Sequence, residues 1–245
     1  MEVSITGAKI YYVIPGINYP ITQTVVNAWI AMVVIVGLCI WLTRGMQVHA
    51  RTKRQVVAEM IVQMAQKLVR GNMGAKWDSF VPFIAAILSM SVFSSLMGLT
   101  GAYSPTNDLN TFLAWGILVF VLITYHKIKA NGFGGYLKGF TEPIFVMTPM
   151  NIISEIATPV SMSLRHFANI CSGYVIGLLL YAALGAVSQI IFFWLPGSLG
   201  TIPFLQVGIP AVLNVYFSVF SGCVQPYIFC MLTMQFVAQA AGTEE

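Results

Sequence analysis

The chain has 245 residues, of which 58% are hydrophobic and only 8% charged, with a net charge of +4 and a mean hydropathy of +0.81. A soluble domain carries about 25% charged residues, so an ordinary water-soluble fold is excluded and an all-α integral membrane protein is expected. A single membrane domain over residues 1–245 is expected, because the longest polar stretch runs only from Arg44 to Asp78.

Residues 1–22 are poor in charge and contain Pro15 and Pro20, which predicts an external or interfacial arm. Residues 24–43 carry no charge over about twenty positions, the length that spans a hydrocarbon core. No basic-then-apolar leader precedes them, so this run is expected to be retained as a helix. Arg44, Arg51, Lys53, Arg54, Lys67, Arg70 and Lys76 follow, and Val56, Met60, Ile61, Met64 and Leu68 recur among them at helical spacing. That pattern predicts an amphipathic helix on the membrane surface over 52–72, with a soluble partner-binding helix as the alternative. Spans are expected at 79–100 and 109–125, joined by the turn-rich Ser104-Pro105-Thr106-Asn107-Asp108. Lys127, Lys129 and Lys138, mixed with Gly132, Gly134 and Gly135, predict a second polar loop. The apolar run from about 144 to 184, interrupted by Pro149 and Pro159, exceeds one perpendicular span, so tilt or two joined pieces is expected. A Pro/Gly-rich break then leads to a last long element at 209–240.

Of the 12 Lys and Arg residues, seven lie in the first polar segment and three in the second, with Lys9 and Arg165 apart from them. The positive-inside rule assigns both basic segments to the cytoplasm. Five spans result, with the N-terminus outside and the Glu244-Glu245 end inside. The four cysteines, at 39, 171, 223 and 230, form no CxxC pair and are expected to be small buried hydrophobes. The histidines at 49, 126 and 166 have no metal-site spacing; neither a metal nor a cofactor is expected.

The chemistry concentrates around Arg165. A guanidinium stays protonated wherever the fold puts it, and at mid-bilayer it costs roughly 2.5–3.5 kcal/mol on insertion scales. Snorkelling to the headgroups is the bland explanation, but apolar sequence continues on both sides of it. Glu155, Thr158, Met162, Arg165, Asn169 and Ser172 follow one another at steps of 3, 4, 3, 4 and 3, a polar stripe that must face protein or water. In the last element Asn214, Ser218, Ser221 and Gln225 form a second stripe, with steps of 4, 3 and 4. A buried glutamine has four hydrogen-bonding sites to satisfy and by itself is most simply a helix–helix contact. Two consecutive long helices of this kind can set Arg165 opposite Gln225.

Pro159-Val160-Ser161-Met162-Ser163-Leu164-Arg165-His166-Phe167-Ala168-Asn169, followed by Val224-Gln225-Pro226-Tyr227-Ile228-Phe229, resembles subunit a of the F-type ATP synthase from about Thr24 to the chain's end. The family pattern is a serine/leucine-rich run into Arg-Leu-Phe-Gly-Asn, then Leu-Gln-Ala before an aromatic residue. His166 and Ala168 stand here for its leucine and glycine, Tyr174 for an acid nine residues after the arginine, and Ser218 for a histidine seven before the glutamine. The resemblance implies a non-catalytic stator whose last two spans form a long tilted hairpin against a ring of c subunits. Two half-channels would carry protons, or sodium, to and from mid-membrane carboxylates of the ring. Arg165 would separate them, with Gln225 holding the guanidinium. Glu155, Ser161, Asn169, Tyr174, Asn214 and Ser218 are candidate lining residues. The implied partners are the c-ring, the subunit b peripheral stalk, the rest of the F1Fo complex and the bilayer, with no nucleic acid. The implied location is a bacterial-type plasma membrane or another energy-transducing membrane.

The alternative is a secondary transporter whose arginine binds an anionic substrate. It predicts an internal repeat, yet Arg165 has no counterpart in the first half. An intramembrane enzyme would need a Ser–His, paired-Asp or HExxH-like set, which the apolar segments lack. A purely structural subunit leaves the mid-span charge unexplained.

Overall fold

Long helices follow the apolar runs of the chain, and the first two stop beside glycines with positive φ. The computed structural model describes residues 8–16, 19–47, 52–99, 103–141, 145–192 and 204–242. Helix α1, Gln23–Thr43, ends at Arg44, whose N–H still bonds Ile40 O at 3.0 Å before Gly45 turns at φ +83°. Helix α2, Lys53–Met73, stops at Gly74 with φ +86°, a conformation that costs a glycine little. A 3₁₀ turn, Ala75–Phe80, leads into α3, Val81–Leu99, and another, Pro105–Asn107, into α4, Leu109–Thr141. A third, Phe145–Met147, precedes α5, Thr148–Phe192, and α6 is Phe204–Ala240. Among the described residues four stretches are long and apolar enough to cross a membrane: Gln23–Thr43, Ala75–Gly98, Leu109–Thr141 and Phe145–Ser188. The chain is a multi-pass, predominantly helical membrane protein.

Local structure departs from the sequence reading in three places. The amino-terminal arm contains an antiparallel hairpin, β1 Ile10–Ile14 with β2 Tyr19–Thr22, tied to α1 by Gln23 N–H donating to Lys9 O at 2.8 Å. Its β-branched and aromatic residues flank Pro15-Gly16, a strand–turn–strand composition. The segment read as a polar loop after Tyr125 is helical through Thr141, broken only at Gly132, where φ is +70°. Lysines end the hydrocarbon-compatible run without ending the helix, since they are good helix formers. Helix α5 likewise continues beyond residue 184, because apolar sequence persists there.

The core gathers on the last third of α6. Phe229, Cys230, Met234 and Val237 pack with Val69 and Met73 of α2, Val81 and Ile84 of α3, Val119 and Ile123 of α4, and Met162 of α5. Only the end of α2 contributes to this core; Val56, Met60, Ile61 and Met64 are exposed, so among the described residues most of its apolar stripe is left uncovered. Small residues let the helices approach closely. A Cβ on Gly116 would lie 2.1 Å from Ser163 Oγ, and one on Gly222 would lie 2.6 Å from Ser95 Cβ. Where α1, α3 and α4 meet, Asn27 Nδ2 donates to Tyr103 O at 2.6 Å and Ser104 Oγ donates to Ser94 O at 2.5 Å. These bonds fix the connection that starts α4.

Candidate functional site

Helix α5 carries the candidate site, and two contacts set its register on α6. His166 meets Phe229 at a ring separation of 6.1 Å, while Thr158 and Pro159 share a cavity with Phe236, Gln239 and Ala240. Increasing numbers on α5 thus match decreasing numbers on α6, so the two helices run antiparallel. Pro159 lies inside α5. Ser163 Oγ donates to the Pro159 carbonyl at 3.0 Å, and Gly116 of α4 comes up against the same turn.

The polar stripe of α5 does not share one environment. Glu155 and Thr158 line the cavity, Met162 enters the apolar core, and Arg165 and Ser172 are exposed. The geometry explains this. At 3.6 residues per turn, ten residues fall short of three turns by about 80°, so a stripe at 3-4-3 spacing winds around the helix. Arg165 therefore emerges on a different face from Glu155. Ser161, one turn earlier, is exposed beside it, as are Val160 and Leu164. Among the described residues Arg165 makes neither an ion pair nor a hydrogen bond.

The next residue turns into the bundle. His166 is 1% exposed, with its ring 4.3 Å from that of Phe112, 6.4 Å from Trp115 and 6.1 Å from Phe229. Neither ring nitrogen has a hydrogen-bond partner. Gln225, half-buried, stands one helical turn before Phe229 on α6, so the neighbours of Arg165 and Gln225 touch across the helix pair. Asn169 is half-buried. The side chains of Tyr174, Asn214 and Ser218 lie outside the described set.

The cavity between α4, α5 and the end of α6 has a volume of about 540 Å³. Lys127 Nζ pairs there with Glu155 Oε2, while Glu155 Oε1 is buried without a partner. Asn151 closes one end by donating to Phe140 O at 2.9 Å. The sequence reading missed Lys127 as a site residue. It lies 28 positions from Glu155, beyond any local spacing rule, and had been assigned to a loop. A second, smaller recess between the hairpin and the start of α4 contains Thr24 and Asp108. Among the cysteines only Cys230 is buried; Cys39, Cys171 and Cys223 are exposed, which corrects the expectation of burial. An apolar side chain facing lipid needs no protein cover.

The fold is that of a polytopic helical membrane protein, with a guanidinium on the outer face of one long helix that is unpaired among the described residues, and with a charge pair in a polar cavity; intramembrane charges of this kind mark substrate or ion paths as a class. The family model described as ATP synthase A chain matches residues 25–238. The chain is 32% identical over 236 residues to a protein of Desulforamulus reducens named ATP synthase subunit a, covering 96% of this chain and 84% of that one. It is 31% identical over 228 residues to ATP synthase subunit a 1 of Prosthecochloris aestuarii, covering 92% of each. Over 244 residues it is 29% identical to a Propionigenium modestum protein named ATP synthase subunit a, sodium ion specific, covering 93% of this chain and 77% of that one. The chain belongs to the ATP synthase A chain family, the a subunits of F-type ATP synthases.

Proposed function

We propose that this chain conducts ions to and from the c-ring as the stator of the membrane sector, and that Arg165 divides the path into two half-channels. The observation that carries the reading is Arg165 itself: a permanent cation within a 45-residue, largely apolar helix, exposed and without an ion pair among the described residues. Such a charge is costly in lipid, so its exposed face is reserved for a partner that supplies negative charge. A rotating carboxylate answers that requirement. Facing hydrocarbon, it is far cheaper neutral, with its proton or metal ion bound. Beside Arg165 the opposite charge favours its ionised form, so it releases its ion before passing. The same fixed charge repels cations that would leak from one half-channel to the other.

In this reading Gln225 spaces the guanidinium. Glu155 lines the inner half-channel, with Ser161, Asn169, Tyr174, Asn214 and Ser218 along the remaining path. Helix α6 is the fifth span, and α2 lies on the membrane surface. The N-terminus is outside, and the lysine-bearing end of α4 and the start of α5 face the cytoplasm. Subunit b and the c-ring are the partners within F1Fo. Protons are the transported ion in this reading, since among the described residues no group of His, Cys, Asp or Glu side chains is arranged to hold a metal ion. Sodium is the second reading, favoured by the name of the Propionigenium modestum relative; sodium-stimulated, protonophore-insensitive ATP hydrolysis by the intact complex would establish it.

The test is ATP-driven ion pumping by reconstituted complex carrying Arg165→Ala, normalised to assembled protein. Pumping is expected to be abolished while assembly persists, because removing a costly charge does not destabilise the helix in lipid. Near-normal pumping would overturn the reading.

A further inference from the structure

We propose that Lys127 is a rate-setting residue of the inner path: paired with Glu155, it holds the cavity between α4, α5 and α6 near electroneutrality and so sets how readily a cation enters. The inference rests on the function proposed above, since it concerns a cation crossing this cavity. Three observations carry it. The cavity, at about 540 Å³, has room for many waters. Its fixed charges are one ammonium and one carboxylate, Lys127 and Glu155, held in direct contact; the other polar groups lining it, Asn131, Tyr136, Asn151 and Gln239 among them, are uncharged in their ordinary states. The two partners are also unequally wet: the Lys127 side chain is 33% exposed and that of Glu155 only 11%.

That inequality makes the pair directional. Glu155 Oε2 is tied to the ammonium and Oε1 is buried without a partner, so the acid balances Lys127 and has little freedom to move as a relay. If Glu155 were replaced by a neutral residue, the Lys127 ammonium would be left without its counter-charge. A lone positive charge in a confined, low-dielectric passage repels cations over its whole length. If Lys127 were replaced instead, the negative charge left behind would attract a cation into the passage and not repel it. The two deletions should therefore differ, and deleting both should be milder than deleting the acid.

The experiment uses intact complex in proteoliposomes and compares initial rates of ATP-driven pumping for Glu155→Gln, Lys127→Gln, the double variant and Arg165→Ala, normalised to assembled complex. Glu155→Gln is expected to pump about tenfold more slowly at low ionic strength, the effect of one uncompensated charge acting across roughly 10 Å at an effective dielectric constant of about 20. Lys127→Gln should lose less, and the double variant should recover at least half of what Glu155→Gln loses. The Glu155→Gln defect should shrink as salt is raised from about 0.01 to 0.15 M, where the screening length falls from about 30 to 8 Å; a packing defect would not respond in this way. Equal defects in Glu155→Gln and the double variant, a salt-independent defect, or no defect in Glu155→Gln would each overturn the proposal. The two readings fail separately: pumping by Arg165→Ala removes the ion path itself, whereas an inactive Arg165→Ala with a normal Glu155→Gln removes only the charge-balance role.

Discussion

His166 packs its ring 4.3 Å from that of Phe112, inside the bundle, while the residue before it, Arg165, is exposed on a different face of the same helix. Adjacent residues differ by about 100° in direction on an α-helix. The aromatic contact on one side therefore helps to fix the direction in which the guanidinium leaves on the other.

The cage around His166 makes a stability prediction. Two buried ring nitrogens without partners are each costly, at about 1–3 kcal/mol per unsatisfied group. His166→Leu fills similar space without them and should leave the thermal inactivation temperature of the complex unchanged or raised. His166→Ala should lower it, because it opens a cavity among Phe112, Trp115 and Phe229 at about 2–4 kcal/mol. If His166→Leu were the more damaging of the two, the ring nitrogens would be engaged after all.

Arg165→Lys keeps a charge but loses the planar five-donor fork, and lysine can shed its proton when desolvated. ATP-driven pumping should fail here too, with some residual rate where Arg165→Ala has none. Gln225→Leu should weaken pumping only severalfold, since the arginine remains and only its spacing is loosened. Pumping by Gln225→Leu as poor as that of Arg165→Ala would assign the glutamine a larger part than spacing.

The contact between Gly116 and Ser163 leaves no room for a methyl group. Gly116→Ala would bring Cβ to 2.1 Å from Ser163 Oγ and 3.2 Å from the Pro159 carbonyl oxygen. The Ser163 hydroxyl or the helices must shift to make room, and overpacking of this kind costs about 1–3 kcal/mol. The variant should assemble less well, as judged by subunit a retained in purified complex. Ser163→Ala added to it should rescue only partly, because the carbonyl stays in place.

Topology is tested by thiol labelling with a membrane-impermeant reagent in a cysteine-free background. A cysteine at Asn107 should react from outside and one at Gly132 only from inside. The reverse pattern would invert the proposed orientation.

Composition by itself determined that the chain lives in a membrane, because 8% charge cannot cover a protein with water-facing surface. Uninterrupted apolar length gave the helical spans, since the hydrocarbon thickness and the rise per residue are constants of the problem. Arg165 was legible for the same reason: no environment neutralises a guanidinium, so its anomaly can be seen without coordinates. The relations between helices could not be read this way. The sequence aligned Glu155 and Arg165 on one stripe, but the winding of that stripe and the packing of Met162 and His166 turn them to different faces. Lys127 meets Glu155 only because α4 continues past the point where hydropathy falls, and because Gly116 lets α5 lie close against it. Hydropathy and periodicity are properties of a segment. Which face a segment presents to its neighbours is decided by side-chain fit against partners distant in the chain, and here that fit, with the winding of the stripe, separates the exposed arginine from the charge pair in the cavity.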